Sequence, residues 1–174
     1  MGFLNDLRKL STTGEYLFHG SRYKNEVLIP KIPKNTSVTA LKEKGIYATD
    51  VPEIAIFNAI LDSKKLPRIN GVRKMVYSWY KAEDGWKFGV TRNVKEYSAF
   101  SKGYVYVLEK QHFEKLPLEG EFISRKELTP IYSYAVDPDE FVDETKILSL
   151  PLSYLTKSSS LSIAELQAMG YCVG

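Results

Sequence analysis

Apolar and polar positions alternate along several short stretches of the chain, and the alternation predicts strands. Glu15-Tyr16-Leu17-Phe18 reads as a short strand that runs into His19-Gly20-Ser21, and Gly45 to Thr49 as a second. Val72 to Tyr80 is rich in strand formers and alternates in part. Glu83-Asp84-Gly85-Trp86 then reads as a hairpin turn, because Asp-Gly readily takes the positive φ of a tight turn, and Lys87 to Val90 as the returning strand. Gly103 to Leu108 is the clearest strand, followed by Glu121 to Ser124 and Ile131 to Val136. Helical spacing is rarer. Over Pro52 to Leu61 it places Ile54, Phe57 and Leu61 on one stripe. Asp50 is expected to cap this helix, with Pro52 in the first turn and Glu53 closing a capping box. A first helix is expected over Leu4 to Leu10. A last one is expected over Ile163 to Met169, capped by Ser162 and Glu165 and stopped by Gly170. Ser158-Ser159-Ser160 reads as a linker before it. Strand, strand, helix, then many strands with short helices at the ends is an α+β fold with mostly antiparallel pairing.

Composition narrows the class without naming a function. The 174 residues, 44% hydrophobic and 26% charged, suit one globular domain over 1–174, with 151–174 as a C-terminal segment carrying a short helix. Twelve Tyr and eight Phe favour strands and also line ligand clefts. A net charge of +3 with interspersed signs is a solvated surface and falls short of a nucleic-acid footprint. A single cysteine, Cys172, excludes an intramolecular disulfide, and with only His19 and His112 beside it no transition-metal site is expected. Met1 to Asp6 is too polar for a signal peptide, and Asp6 stands where a myristoylation start needs Ser or Thr. No apolar run approaches the ~20 residues that span a bilayer. The expectation is a cytoplasmic protein with no membrane partner.

Three patches carry possible chemistry. In Leu17-Phe18-His19-Gly20-Ser21 a strand runs into a His-Gly-small turn. Glycine lets another group approach the main chain, and an imidazole can bond a sugar hydroxyl from either ring nitrogen. In Gly45-Ile46-Tyr47-Ala48-Thr49-Asp50 a strand leads into the helix that carries Phe57. Two aromatic rings can sandwich a flat heterocycle, although Phe57 on the apolar stripe also suits an ordinary core position. In Glu119-Gly120-Glu121-Phe122-Ile123-Ser124 an acidic residue opens a late strand. A carboxylate in a cleft can stabilise an oxocarbenium-like centre as a glycosidic bond breaks.

Taken in order, these patches resemble the diphtheria-toxin and poly(ADP-ribose) polymerase branch of the ADP-ribosyltransferases, which is known by a His, Tyr, Glu triad. The resemblance covers only the three patches. It implies a split β-sheet fold with NAD, the co-substrate, in a cleft between the sheets. It implies that His19 bonds the ribose hydroxyls of NAD, with Ser21 beside it, and that the main chain of Gly20 holds the nicotinamide carboxamide. Tyr47 and Phe57 would flank the nicotinamide ring, Phe57 standing where the branch usually has Tyr. Glu121 would bond the nicotinamide ribose 2′-hydroxyl and stabilise the sugar cation, with Glu121, His19 and Tyr47 as the catalytic set. The implied activity is transfer of mono-ADP-ribose to a protein or nucleic-acid acceptor.

Three alternatives stay open: a catalytically inactive binding or scaffold protein of the same fold, an RNA 2′-phosphotransferase in which Arg22 and Arg125 serve a phosphate, and an interaction domain that resembles the family by accident. The Glu119-x-Glu121 pair also occurs in the arginine-modifying branch of the superfamily, whose Arg and Ser-x-Ser elements are not evident here. Lys31 to Lys44 is expected to border the cleft, and the hairpin around Trp86 is a candidate acceptor platform.

Overall fold

The computed structural model describes residues 2–33, 43–144 and 147–174. Most of the Lys31 to Lys44 stretch therefore lies outside the described residues. The elements run α1 (Gly2–Thr12), β1 (Tyr16–Ser21), β2 (Ile46–Thr49), α2 (Pro52–Ile60), β3 (Tyr77–Ala82), β4 (Gly85–Val90), α3 (Arg92–Glu96) and β5 (Gly103–Glu109). They continue with β6 (Glu114–Lys115), β7 (Glu121–Ser124), β8 (Tyr132–Val136), α4 (Pro138–Glu144), β9 (Ile147–Ser149), α5 (Leu152–Ser158) and α6 (Ile163–Ala168). The protein is α+β, with mostly antiparallel sheets and a few short helices. No helix among the described residues is long and apolar enough to cross a membrane.

The chain divides into two compact units. Among the described residues, the first takes 2–33, 43–61 and Ser101–Phe141, and the second takes Asp62–Phe100, 142–144 and 147–174. The first unit holds a six-stranded sheet in the order β6-β7-β2-β1-β5-β8, with every neighbouring pair antiparallel. β1 and β2 are central, and β7 is brought beside β2 from far along the chain. Paired residues share a face and successive residues alternate. One face therefore collects Leu17, Ile46, Ala48, Tyr106, Leu108 and Phe122 into a buried cluster.

On the other face α2 packs over β1 and β5 and meets β2 and β8 less extensively. Here Phe18, Val105 and Val107 are fully buried, and the strands present two glycines. A Cβ built on Gly20 would stand 2.0 Å from the Ala55 carbonyl oxygen, and one on Gly103 would stand 2.1 Å from that of Ala59. The small Ala55 and Ala59, four apart on the helix, bring its backbone directly onto the sheet. Ile54, Ile56, Phe57 and Ile60 are buried as well, so the apolar surface of α2 is wider than the single stripe read from Ile54, Phe57 and Leu61. The capping box expected at Asp50 and Glu53 does not form. Val51 is the N-cap and makes no side-chain cap bond. Pro52 has no amide hydrogen to satisfy, and the amides of Ile54 and Ala55 donate to the Val51 carbonyl. Glu53 instead pairs with Arg8 of α1 at 2.7 Å.

The second unit holds a three-stranded sheet in the order β3-β4-β9, its β4–β9 pair parallel. The turn joining β3 and β4 is Glu83-Asp84, one position ahead of the expected Asp-Gly pair, and Gly85 opens β4 at φ +119°. The strand expected from Val72 starts only at Tyr77, because Val72 is spent in an isolated bridge with Ile69. Leu150, Leu155, Leu166, Met169 and Tyr171 form the core around α5 and α6. Ser162 and Glu165 make the expected capping box on α6, and Gly170 follows at φ +90°. Ser158, expected in a linker, closes α5 instead. Its hydroxyl donates to the Tyr154 carbonyl four residues back, a local side-chain bond open to a serine at the last residue of a helix.

Candidate functional site

The strand order sets β1, β2 and β7 side by side, and with them His19, Tyr47 and Glu121. The registers Phe18↔Thr49 and Thr49↔Glu121 place Phe18, Thr49 and Glu121 in one row across the three strands. Phe18↔Thr49 is the only register pair between β1 and β2. Tyr47, two residues before Thr49, shares that face, whereas His19 follows Phe18, so the pleat starts its side chain on the opposite side of the sheet from Tyr47 and Glu121, toward Tyr106. The ring nevertheless reaches across to β2: His19 Nδ1 lies 2.6 Å from the Tyr47 carbonyl oxygen. A carbonyl only accepts, so Nδ1 carries the proton and the neutral ring presents Nε2 as an acceptor. Nε2 has no hydrogen-bond partner among the described residues.

Burial pushes the His19 pKa below the usual imidazole value. The bond to Tyr47 opposes that shift, and the positive charge of Lys31 adds to it. The neutral ring is thus the folded form at neutral pH, with a consequence for stability. The unfolded chain takes up a proton at this position as pH falls through 6.5, whereas the folded chain resists it. The contribution of His19 is therefore complete above that value and declines below it. His19→Gln is expected to make stability less sensitive to acidification, as read by urea unfolding of both proteins at about pH 7 and about pH 5.5. Equal losses in the two proteins would mean that His19 is not held neutral.

Tyr47 is partly buried, and its hydroxyl donates to the Glu43 carbonyl at 2.6 Å. Burial raises its pKa first, with the negative charges of Glu43 and Glu121 adding to the rise. Glu121 opens β7 directly after Gly120, whose φ of +74° turns the chain into the strand. Its side chain is partly buried, and burial pushes its carboxyl above the ordinary range. The carboxylate has no hydrogen bond or ion pair among the described residues. Neighbouring Glu119 is exposed. No oxygen of Glu121 is both buried and unpaired among the described residues, so the carboxylate is partly desolvated while still meeting water.

The remaining candidates are placed differently. Ser21 ends β1, and its hydroxyl accepts from the Tyr23 amide at 3.2 Å. At Gly20 the side from which a Cβ is missing is filled by α2, so helix packing alone accounts for glycine there. Phe57 is 0% exposed and presents no surface to a ligand. Arg22 donates to the Lys102 carbonyl. Arg125 is spread between the carboxylates of Glu43 and Glu114, each at 2.7 Å, a clamp that the sequence did not reveal because Glu43 lies 82 positions away.

A cavity of about 410 Å³ opens around Leu108, His112, Lys126 and Leu128; neither His19, Tyr47 nor Glu121 lines it. Among the described residues no group of three or more His, Cys, Asp and Glu is placed to hold a metal ion. Compared with models of known protein families, with curated proteins and with solved structures, the chain matches none of them.

Proposed function

We propose that the first unit binds NAD over the adjoining strands β1, β2 and β7 and transfers mono-ADP-ribose to a protein or nucleic-acid acceptor, in an ADP-ribosyltransferase-like split-sheet fold. The observation that carries this reading is the partly desolvated carboxylate of Glu121, without a hydrogen bond or ion pair among the described residues, on the strand next to Tyr47. In this reading Glu121 accepts a hydrogen bond from the nicotinamide ribose 2′-hydroxyl. As the bond from C1′ to the nicotinamide nitrogen breaks, its electron pair leaves with nicotinamide and the ribose becomes cationic. The fixed negative charge stabilises that cation. The acceptor nucleophile then bonds C1′ and releases its proton.

His19, whose side chain leaves β1 on the face opposite Glu121, serves by holding the Tyr47 main chain through Nδ1. The Tyr47 ring is the stacking surface for nicotinamide, and the Gly20–Ser21 main chain is the candidate holder of the carboxamide. Phe57, sealed in the core, supports the sheet and leaves stacking to Tyr47.

The test is nicotinamide release from NAD by the purified protein, alone and with cell extract or RNA as acceptor source. Release that rises with an acceptor is the expected result. NAD binding without release would make the protein a binding or scaffold member of the fold, and neither binding nor release would end the reading.

A further inference from the structure

The geometry points to Arg125 as a positioning residue that fixes the Tyr47 ring through Glu43. This inference rests on the reading of Tyr47 as the nicotinamide platform, although the mechanical linkage stands on the structure alone. Arg125 follows β7 directly. One guanidinium nitrogen bonds Glu43 just ahead of β2, and another bonds Glu114 in β6, both at 2.7 Å. It thus ties together three chain segments at one end of the sheet. The held residue is the one whose carbonyl receives the Tyr47 hydroxyl. Between them, Gly45 is pinned by a reciprocal main-chain pair with Lys31, at 3.0 and 3.1 Å. The stretch from Glu43 to Tyr47 is therefore held at its start by Arg125, at its middle by Lys31 and at its end by β7 and by His19 on the Tyr47 carbonyl.

The clamp is half exposed, and exposed ion pairs add little to stability. What it contributes is geometry. Arginine offers a planar fork whose separate nitrogens reach two carboxylates at once, which the single ammonium of lysine does not match. Without it, the Glu43 carbonyl is free to shift, and the hydroxyl that anchors the Tyr47 ring shifts with it.

The experiment compares wild type, Arg125→Gln, Arg125→Lys and Glu43→Gln in two ways. The first uses 3-fluorotyrosine incorporation, with the Tyr47 fluorine resonance assigned by its loss in Tyr47→Phe. The Tyr47 signal is expected to move in Arg125→Gln and Glu43→Gln and to lie between the two states in Arg125→Lys. The second is NAD turnover, in which KM is expected to rise about tenfold in Arg125→Gln while kcat stays within about twofold, with Arg125→Lys recovering part of the loss. An unmoved Tyr47 resonance in both Arg125→Gln and Glu43→Gln overturns the inference. So does a parallel fall of kcat and kcat/KM that follows the folded fraction. Should Arg125→Gln fail to fold, Glu43→Gln, which keeps the accepting carbonyl, decides the matter. If the wild type neither binds nor cleaves NAD, the functional reading fails while the fluorine measurement still decides whether Arg125 sets the Tyr47 ring.

Discussion

Glu121→Gln is expected to slow nicotinamide release by about 100-fold or more, the loss seen when a key electrostatic group is removed, while leaving the protein at least as stable as before. The two halves of this expectation come from one observation. Burial raises the Glu121 carboxyl pKa, so the folded protein carries the charge at a cost. Its neutral form contributes stability below the unfolded value of 4.5, and that contribution is lost as pH rises through the folded value. Above that window the charged carboxylate is a burden with no partner among the described residues to offset it. Glutamine keeps the shape and removes the burden, so the thermal midpoint is expected to hold or to rise slightly. The charge has value only when a cation forms beside it, which is the pattern of a group kept for function at the expense of stability. The same argument gives the pH dependence: release by the wild type is expected to fall as pH drops through the raised Glu121 value, because protonation removes the charge. A Glu121→Gln protein that releases nicotinamide at the wild-type rate would sink the assignment. One that unfolds several degrees earlier would show instead that the carboxylate has a structural partner.

Local pattern carried most of the strands. β1, β2, β5, β7 and β8 lie where strand-forming residues and the flanking turn residues place them, although β8 buries only Val136. The two-residue β6 and the three-residue β9 are too short to show a period. α4 had a readable start, because Asp137 accepts from the Asp139 amide at 3.1 Å just ahead of an acidic first turn, and so did α5 behind Pro151. α3 spans barely more than one turn, below the length at which helical spacing can be counted. At the site, the residue types were legible and their arrangement was not. His19, Tyr47 and Glu121 are separated by long stretches of sequence, and only the pairings of β1 and of β7 with β2 set them on adjoining strands. Phe57 on its apolar stripe suited a core position better than a cleft, and only the resemblance placed it beside a ligand; full burial bears out the core reading. Gly20 announced that something approaches the main chain closely, but sequence alone does not distinguish a ligand from a helix.

That helix leads to the largest effect expected on stability. Gly20→Ala would place a methyl carbon 2.0 Å from the Ala55 carbonyl oxygen and 2.8 Å from the Ala59 amide nitrogen. Both are backbone atoms of α2, so no side-chain rotation relieves the contact; the helix must lift off the sheet or the strand must bend. Lifting α2 loosens its contacts with Phe18, Val105 and Val107 and opens space around Ile56, Phe57 and Ile60, all fully buried. Overpacking typically costs about 1–3 kcal/mol and occasionally more, and a rigid backbone contact belongs at the upper end of that range. For a chain of this size a loss of about 3 kcal/mol corresponds to a midpoint lower by roughly 6–12 °C. Gly103→Ala meets the Ala59 carbonyl oxygen at 2.1 Å and is expected to act in the same direction. Because both substitutions demand the same displacement of α2, the double variant should lose less than the sum of the two single losses. Calorimetry on the four proteins checks this. A Gly20→Ala midpoint within about 2 °C of wild type would mean that α2 does not rest on the sheet this closely, and Gly20 would then be open to a ligand from that side after all.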